Sequence, residues 1–200
     1  MMNGLLAILI AYMLGAIPFG YLLTRFTTGK DVRSEGSGNI GATNVLRTAG
    51  RGAALATLIL DMVKGFAAVW IAGLLTDGSP GWSADAALAV MVGHAFPIFL
   101  GFKGGKAVAT FFGAFLYLTP VPALAALIVF VIAVTVTGYI SAGSILAAAT
   151  FPLGAWLIEH PTPNTLLAAL IAAAIVLYRH KHNIERIRSG KEPAFRWGHS

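Results

Sequence analysis

The chain contains no cysteine. That absence excludes disulfide scaffolding, thiol nucleophiles, Cys-ligated zinc and iron–sulfur clusters. Charge is scarce as well: Asp, Glu, Lys and Arg together make 11% of 200 residues, where soluble domains carry roughly a quarter. Only 8 residues are acidic, and none of them are grouped at metal-ligand spacing, so neither a metal nor any other cofactor is expected. What is abundant is apolar. A hydrophobic content of 57% and a mean hydropathy of +0.78 exclude disorder and point to a lipid-embedded chain. The net charge of +6 fits an anionic partner, but a membrane must place its Lys and Arg first, and no nucleic acid is expected. The length allows one domain over residues 1–200.

A hydrocarbon core of roughly 30 Å requires about 20 apolar helical residues. Apolar runs lie near 4–24, 52–75, 85–100, 107–118, 121–138, 144–158 and 164–179, separated by glycine, proline and charge. The expected fold is all-α and polytopic, with about seven transmembrane helices. The first run reads as a retained helix rather than a signal peptide, because no basic segment precedes it. Alternating spans from an external N-terminus puts Arg25, Lys30, Arg33, Arg47 and Arg51 on one side. The same side receives Lys103, Lys106, Arg179, Lys181, Arg186, Arg188, Lys191 and Arg196, while Lys64 falls inside a span. The opposite loops hold Asp77, Asp85 and Glu159 and no Lys or Arg. The positive-inside rule makes the basic side, with the C-terminus, cytoplasmic. Two runs are short: 107–118 gives roughly 18 Å of helix and 85–100 roughly 24 Å. The Gly101–Lys106 turn between them either sits within the membrane profile, against a wet cavity, or is reached by local thinning of the bilayer.

Three basic-side segments carry chemistry. In the first, Gly36, Gly38 and Gly41 allow backbone N–H groups to converge on an anion, with Ser37, Asn39, Thr43, Asn44 and Arg47 as side-chain donors; a flexible polar linker is the plain alternative. The second, Gly101-Phe102-Lys103-Gly104-Gly105-Lys106, leads straight into a helix, whose dipole and orphan N–H groups favour phosphate. It is no Walker loop: Ala107 stands where a Ser or Thr would hold magnesium. The third, Arg179-His180-Lys181-His182-Asn183-Ile184-Glu185-Arg186, places Arg179, Asn183 and Arg186 in one stripe if the helix continues. A basic anchor to lipid headgroups is its plain alternative. On that continuous helix His180 and Glu185 point about 140° apart, which speaks against an acyltransferase His/acid box. Asp61 and Lys64, at helical spacing within a span, can pair, either as a neutralising pair that anchors helix packing or in a direct functional role. His94, near Pro97, either bonds kinked backbone or orients a loop residue. Ser141 and Ser144 read chiefly as caps of a helix at 144, with phosphate binding as the second option for Ser141.

Taken together, Ser37-Gly-Asn-Ile-Gly-Ala-Thr-Asn-Val-Leu-Arg47, Asp61-x-x-Lys64-Gly65, Gly93-His94-x-x-Pro97-x-Phe99-x-Gly-Phe-Lys-Gly-Gly-Lys106 and Arg179-His180-x-x-Asn183-Ile184-x-Arg186 closely resemble the bacterial acyl-phosphate:glycerol-3-phosphate acyltransferase (PlsY) family. The resemblance implies a seven-helix inner-membrane enzyme with its active site facing the cytoplasm. It would acylate glycerol 3-phosphate from acyl phosphate, without acyl-CoA or acyl carrier protein, at the committed step of phospholipid synthesis. It also implies a functional link to an enzyme that produces acyl phosphate. Ser37, Arg47, Lys106 and His180 match the positions given catalytic work. Gly38, Asn39, Gly41, Thr43, Asn44, Gly104, Gly105, Ser141 and Asn183 match substrate-binding surroundings, with Asp61, Lys64, His94 and Arg186 in support. Family members commonly continue Gly-Gly-Lys with glycine; Ala107 here restricts that backbone. The rival class is a small organophosphate or anion transporter, because broken helices around a basic cavity suit that too. Against it, the charges gather on one face. For the proton of the acceptor hydroxyl, His180 and a substrate phosphate are both open, the resemblance favouring the phosphate.

Overall fold

The computed structural model describes residues 1–195, so Arg196 lies outside the described residues. These contain α1 (Met2–Ala16), α2 (Phe19–Thr28), α3 (Ala42–Leu75), α4 (Pro80–Ala95), α5 (Val108–Leu118), α6 (Pro120–Thr137), α7 (Ile140–Glu159), α8 (Pro163–Arg179) and α9 (Lys181–Arg188), with 3-10 turns at Val32–Ser34 and Ile98–Leu100. No strand occurs among the described residues. Five segments are long and apolar enough to cross a membrane, and α8 joined to α9 across a 57° bend makes a sixth. At about 1.5 Å per residue, the 11 residues of α5 fall well short of a bilayer.

Sequence punctuation misplaces several boundaries. The first run is broken at Ile17–Pro18, because proline lacks the N–H that would continue the ladder, and it resumes as α2 to Thr28. The expected basic loop through residue 51 is half helix: α3 begins at Ala42, and only Gly50, at φ 84°, interrupts it. The third run is not short. Pro80 sits in the first turn, where its missing N–H costs nothing, and helix plus 3-10 turn cover the 21 residues Pro80–Leu100.

With lipid outside, helices associate by close packing rather than by burial from water. Small residues therefore form the interfaces. A Cβ at Gly65 would stand 2.3 Å from Thr110 O, and one at Gly113 1.9 Å from Met62 O, so α3 and α5 meet backbone to backbone. Gly15 and Gly93 do the same for α1 and α4. Phe111 and Phe115 of α5 pack with Phe151 of α7 at centroid distances of 4.8–4.9 Å. That aromatic cluster lies with Met91 and a run of buried alanines in the largest core. The outer surface carries Leu74, Ile128, Ile132, Val136, Leu153 and Leu157, all exposed, as a lipid-facing shell requires.

Charge inside this bundle is paired. Lys64 Nζ lies 2.7 Å from Asp61 Oδ1 and donates to Ile17 O at 2.9 Å, the carbonyl released by the Pro18 break. His94 Nδ1 is 3.5 Å from the same Asp61 oxygen. At the opposite end of the bundle from the basic loops, Glu159 accepts from Val121 N at 3.0 Å, placing a negative charge at the N-terminus of α6.

Candidate active site

The first loop is a self-satisfied plug. Asp31 opens the 3-10 turn by accepting from Arg33 N at 2.9 Å. Buried Asn44 then holds everything downstream: its Nδ2 donates to Val32 O, Glu35 O and Asn39 O, each at 3.0 Å, and its Oδ1 accepts from Ser37 N at 2.9 Å. Gly36, at φ 54°, must lack a side chain, because a Cβ would meet Asn44 Oδ1 at 2.3 Å. The expected anion nest is not formed. Gly38 N is spent on Glu35 O and Gly41 N on Asn39 Oδ1, both at 2.9 Å, and Asn44 has no group left to offer a ligand. What the plug presents instead are the side chains of Ser37 and Asn39. Thr43, in the first turn of α3, and Arg47, exposed a turn later, both lie outside the cavity lining.

The second loop is likewise closed on itself. Gly104 N donates to Ala95 O at 3.2 Å and Gly105 N to His94 O at 3.1 Å, so these N–H groups do not face a phosphate either. Their glycines are required by packing: a Cβ on Gly104 would lie 2.2 Å from His94 O, and one on Gly105 2.1 Å from His94 Nε2. Ala107 takes the left-handed conformation, φ 59° and ψ 15°, although it is not glycine, and so launches α5. The restriction expected of alanine is overcome by the surrounding structure, at a cost of about 1–2 kcal/mol.

The third segment is not one helical stripe. The 57° bend at His180 separates Arg179 from the rest. Arg179 Nε donates to Gly105 O at 3.0 Å and its Nη2 to Gly104 O at 2.7 Å, with its guanidinium over the Phe96 ring at 5.3 Å. Asn183 and Arg186, on α9, turn to Glu192. Its Oε1 accepts from Asn183 Nδ2 at 2.7 Å and from Ser141 Oγ at 2.6 Å, while Oε2 accepts from Arg186 Nε at 2.7 Å. Ser141 thus belongs to the site, and neither serine is a cap: Ser144 Oγ donates back to Ile140 O at 2.9 Å within α7, which starts at Ile140. Motif reasoning overlooks Glu192 and places Arg179 only in the helical stripe. Glu192 stands in a basic tail with no helical-spacing partner, and the acceptors of Arg179 are backbone carbonyls, which no residue type announces.

Ser37, Asn39, Lys106, Tyr178, Arg179, Asn183 and Arg186 line, with Lys181 and His182, an open cavity of about 390 Å³ at the basic end of the bundle. Burial pushes the Lys106 ammonium down to about 8; Arg186, Arg47 and Arg179 add repulsion, and Glu192 opposes them. His180 is buried beside the cavity, its Nδ1–H donating to Val176 O at 2.8 Å, which leaves Nε2 as an acceptor. Burial and the nearby Lys106 charge lower it to about 4, so the ring is neutral. Burial tends to raise the Glu192 carboxyl, but the bonds from Ser141, Asn183 and Arg186 hold it below the usual range. One carboxylate facing several cations, at the mouth of an apolar bundle, leaves a surplus suited to a phosphate dianion. Among the described residues no group of three His, Cys, Asp or Glu is placed to hold a metal.

Fold and site together define a polytopic membrane protein with an open, cationic cavity at one face. A model of the glycerol-3-phosphate acyltransferase family matches residues 5–190. The chain is 47% identical to a glycerol-3-phosphate acyltransferase of Geobacter sulfurreducens over 98% of its own length and 100% of that protein. It is 47% identical to the one of Nitrobacter winogradskyi over 95% of each. Among solved structures it is similar to PlsY (YgiH), an integral membrane glycerol 3-phosphate acyltransferase. The glycerol 3-phosphate form superposes with a TM-score of 0.91 at 36% identity over 96% of each chain. The lysophosphatidic acid form superposes with a TM-score of 0.86 at 35% identity, over 96% of this chain and 95% of that one. The protein belongs to the glycerol-3-phosphate acyltransferase family.

Proposed function

We propose that the protein transfers the acyl group of a fatty acyl phosphate to the 1-hydroxyl of sn-glycerol 3-phosphate. The products are 1-acyl-sn-glycerol 3-phosphate (lysophosphatidate) and phosphate, and the reaction is the first step of phospholipid synthesis. A single membrane-embedded domain performs it, multi-pass in the bacterial inner membrane, with the cavity on the cytoplasmic face where the Lys and Arg residues gather. The observation that carries this is the convergence of Ser37, Lys106, Asn183 and Arg186 on one open cavity at the basic end of the apolar bundle. Its cationic surplus accounts for two phosphate-bearing substrates. Its place at the end of an apolar bundle accounts for a fatty chain.

An acyl phosphate is a mixed anhydride, already activated, so positioning and charge stabilisation suffice. Lys106 and Arg186, with Ser37 and Asn183, hold the phosphates, and Arg47 adds charge from the rim. The glycerol oxygen bonds to the acyl carbonyl carbon as the bond from that carbon to the phosphate oxygen breaks. The hydroxyl proton passes to a phosphate oxygen, and hydrogen phosphate leaves. His180, lowered to about 4, is a feeble base at neutral pH. Its free Nε2 accepts from a glycerol hydroxyl and orients it.

The test is purified protein with palmitoyl phosphate and radiolabelled glycerol 3-phosphate, in excess EDTA. Lysophosphatidate and phosphate should form in equal amounts, and palmitoyl-CoA should not replace the donor. Net uptake of glycerol 3-phosphate into proteoliposomes without donor, and no lysophosphatidate, would establish the transporter instead.

A further inference from the structure

Lysine is a point charge on a flexible stem, so where the Lys106 ammonium stands depends on the backbone beneath it. That backbone is a turn with little helical support. Phe102 and Ala107 take left-handed conformations on either side of Gly104–Lys106, at φ 62° and 59°. The N–H groups of Gly104 and Gly105 are fixed to the end of α4, but that leaves their carbonyls, buried and in need of donors. Arg179 supplies both, at 2.7 and 3.0 Å, from a single guanidinium fork. The guanidinium also stands over the Phe96 ring, 5.3 Å from its centroid, and the Phe96 carbonyl accepts from Tyr12 Oη at 2.9 Å. On the other side the His94 ring packs so closely that Gly105 admits no Cβ. The Gly105 peptide is gripped from two sides, and Arg179 is the grip that comes from another helix.

Arg179 is also the last residue of α8, immediately before the bend at His180 that leads into α9 and the cavity-lining Asn183. Its two bonds therefore fix the distance between the element carrying Lys106 and the element carrying Asn183. We propose that Arg179 is a positioning residue for glycerol 3-phosphate recognition. It sets Lys106 by holding the two carbonyls that precede it, and it couples the Gly-Gly-Lys turn to the α8–α9 bend. This rests on the acyltransfer proposed above. Lysine cannot substitute, since one ammonium does not reproduce two parallel donors in a plane.

Two measurements on the full-length protein in detergent test this, one of them independent of substrate. In hydrogen exchange without ligand, the amides of Gly104 and Gly105 should exchange about tenfold faster in Arg179→Lys than in wild type, because losing a charged hydrogen bond weakens closure by roughly that factor or more. With palmitoyl phosphate as donor, KM for glycerol 3-phosphate should rise about 10-fold or more, KM for palmitoyl phosphate should stay within about twofold, and kcat should fall less than the affinity. Unchanged exchange with a raised KM would overturn the proposal in favour of direct contact between Arg179 and the phosphate. A loss of kcat with both KM values unchanged would overturn it in favour of a merely structural role. If Arg179→Lys does not fold, Phe96→Leu, which removes the ring the guanidinium stands over, should show the same two changes at smaller size, and no change in either overturns the proposal. A wild-type protein that makes no lysophosphatidate rejects the function reading alone, and the exchange result still decides whether Arg179 holds the turn.

Discussion

The carboxylate of Glu192 accepts from Asn183 Nδ2 at 2.7 Å while its other oxygen takes Arg186 Nε at the same distance, so a residue of the C-terminal tail ties together a buried and a half-buried position one turn apart on α9. Ser141 reaches the same carboxylate from the first turn of α7. Three donors from two helices thus converge on one acid, and the cavity wall they form is organised before substrate arrives.

Glu192→Gln should loosen that wall. The amide keeps one acceptor but turns a donor toward donors, and bonds to a charged group contribute roughly 1.5–3 kcal/mol each. Thermal unfolding in detergent should shift down by several degrees, and KM for glycerol 3-phosphate should rise. The sign with pH follows: a carboxyl held below its ordinary value stabilises fully above that value and ceases to as pH falls through the lowered one. Wild type should therefore lose this increment in acid, whereas Glu192→Gln should not. A variant with wild-type melting at both pH 7 and pH 4 would remove Glu192 from the account.

Lys106 sets the alkaline limit. It is charged below its pKa, and burial has brought that to about 8. The value of kcat/KM for glycerol 3-phosphate, which reports the free enzyme, should hold steady near neutrality and fall about tenfold per pH unit above 8. Lys106→Arg, charged at every accessible pH, should flatten that limb even if its activity is low. A wild-type profile level to pH 10 would show that the ammonium is not used.

His180 separates two proton schemes. With its pKa lowered to about 4, the His180 ring stays neutral between pH 7 and pH 5, so any change in kcat across that range should persist in His180→Asn. His180→Asn should raise KM for glycerol 3-phosphate more than it lowers kcat, and His180→Ala should be worse, since the amide keeps hydrogen bonding that alanine lacks. A folded His180→Asn enzyme that bound normally but turned over roughly 10²–10⁴ times more slowly would make the imidazole the general base.

Ala107 carries backbone strain that glycine would not. Ala107→Gly should leave activity intact and raise the melting temperature slightly, relief of about 1–2 kcal/mol being partly offset by the freer unfolded chain. Ala107→Val should abolish activity, because a β-branched residue in the left-handed region is an outlier even among exceptions. A functional, undiminished Ala107→Val enzyme would mean that the turn does not need this conformation.

The sequence reported most faithfully where one physical requirement dominates. Each of the apolar runs became helical, the first as two helices broken at Ile17–Pro18 and the third with a closing 3-10 turn, since lipid demands backbone satisfaction within the segment. Pairing of Asp61 with Lys64 was readable for the same reason, an unpaired intramembrane charge being too costly. Boundaries failed where glycine and proline served uses other than ending a helix: Gly50 kinks α3 without ending it, and Pro80 starts α4 rather than preceding it. The glycine loops misled in a different way. Glycine content shows that a backbone can bend toward an anion, but not whether neighbouring carbonyls and Asn44 have already taken its N–H groups. Ser37, Lys106 and Asn183 stood out in the sequence because their side chains have few reasons to lie in a membrane bundle, and they line one cavity; the partners of Glu192 and Arg179 come from other elements and could not be read from spacing.

The central claim is that the acyl group passes directly from acyl phosphate to glycerol 3-phosphate, with the protein supplying position and charge but no nucleophile. Its most direct measurement is phosphate release, with intact-protein mass, after mixing enzyme and palmitoyl phosphate in the absence of acceptor. The account predicts no burst of phosphate and an unmodified protein mass, followed by equimolar phosphate and lysophosphatidate once glycerol 3-phosphate is added. A burst stoichiometric with enzyme, accompanied by a palmitoylated protein that glycerol 3-phosphate then discharges, would contradict it.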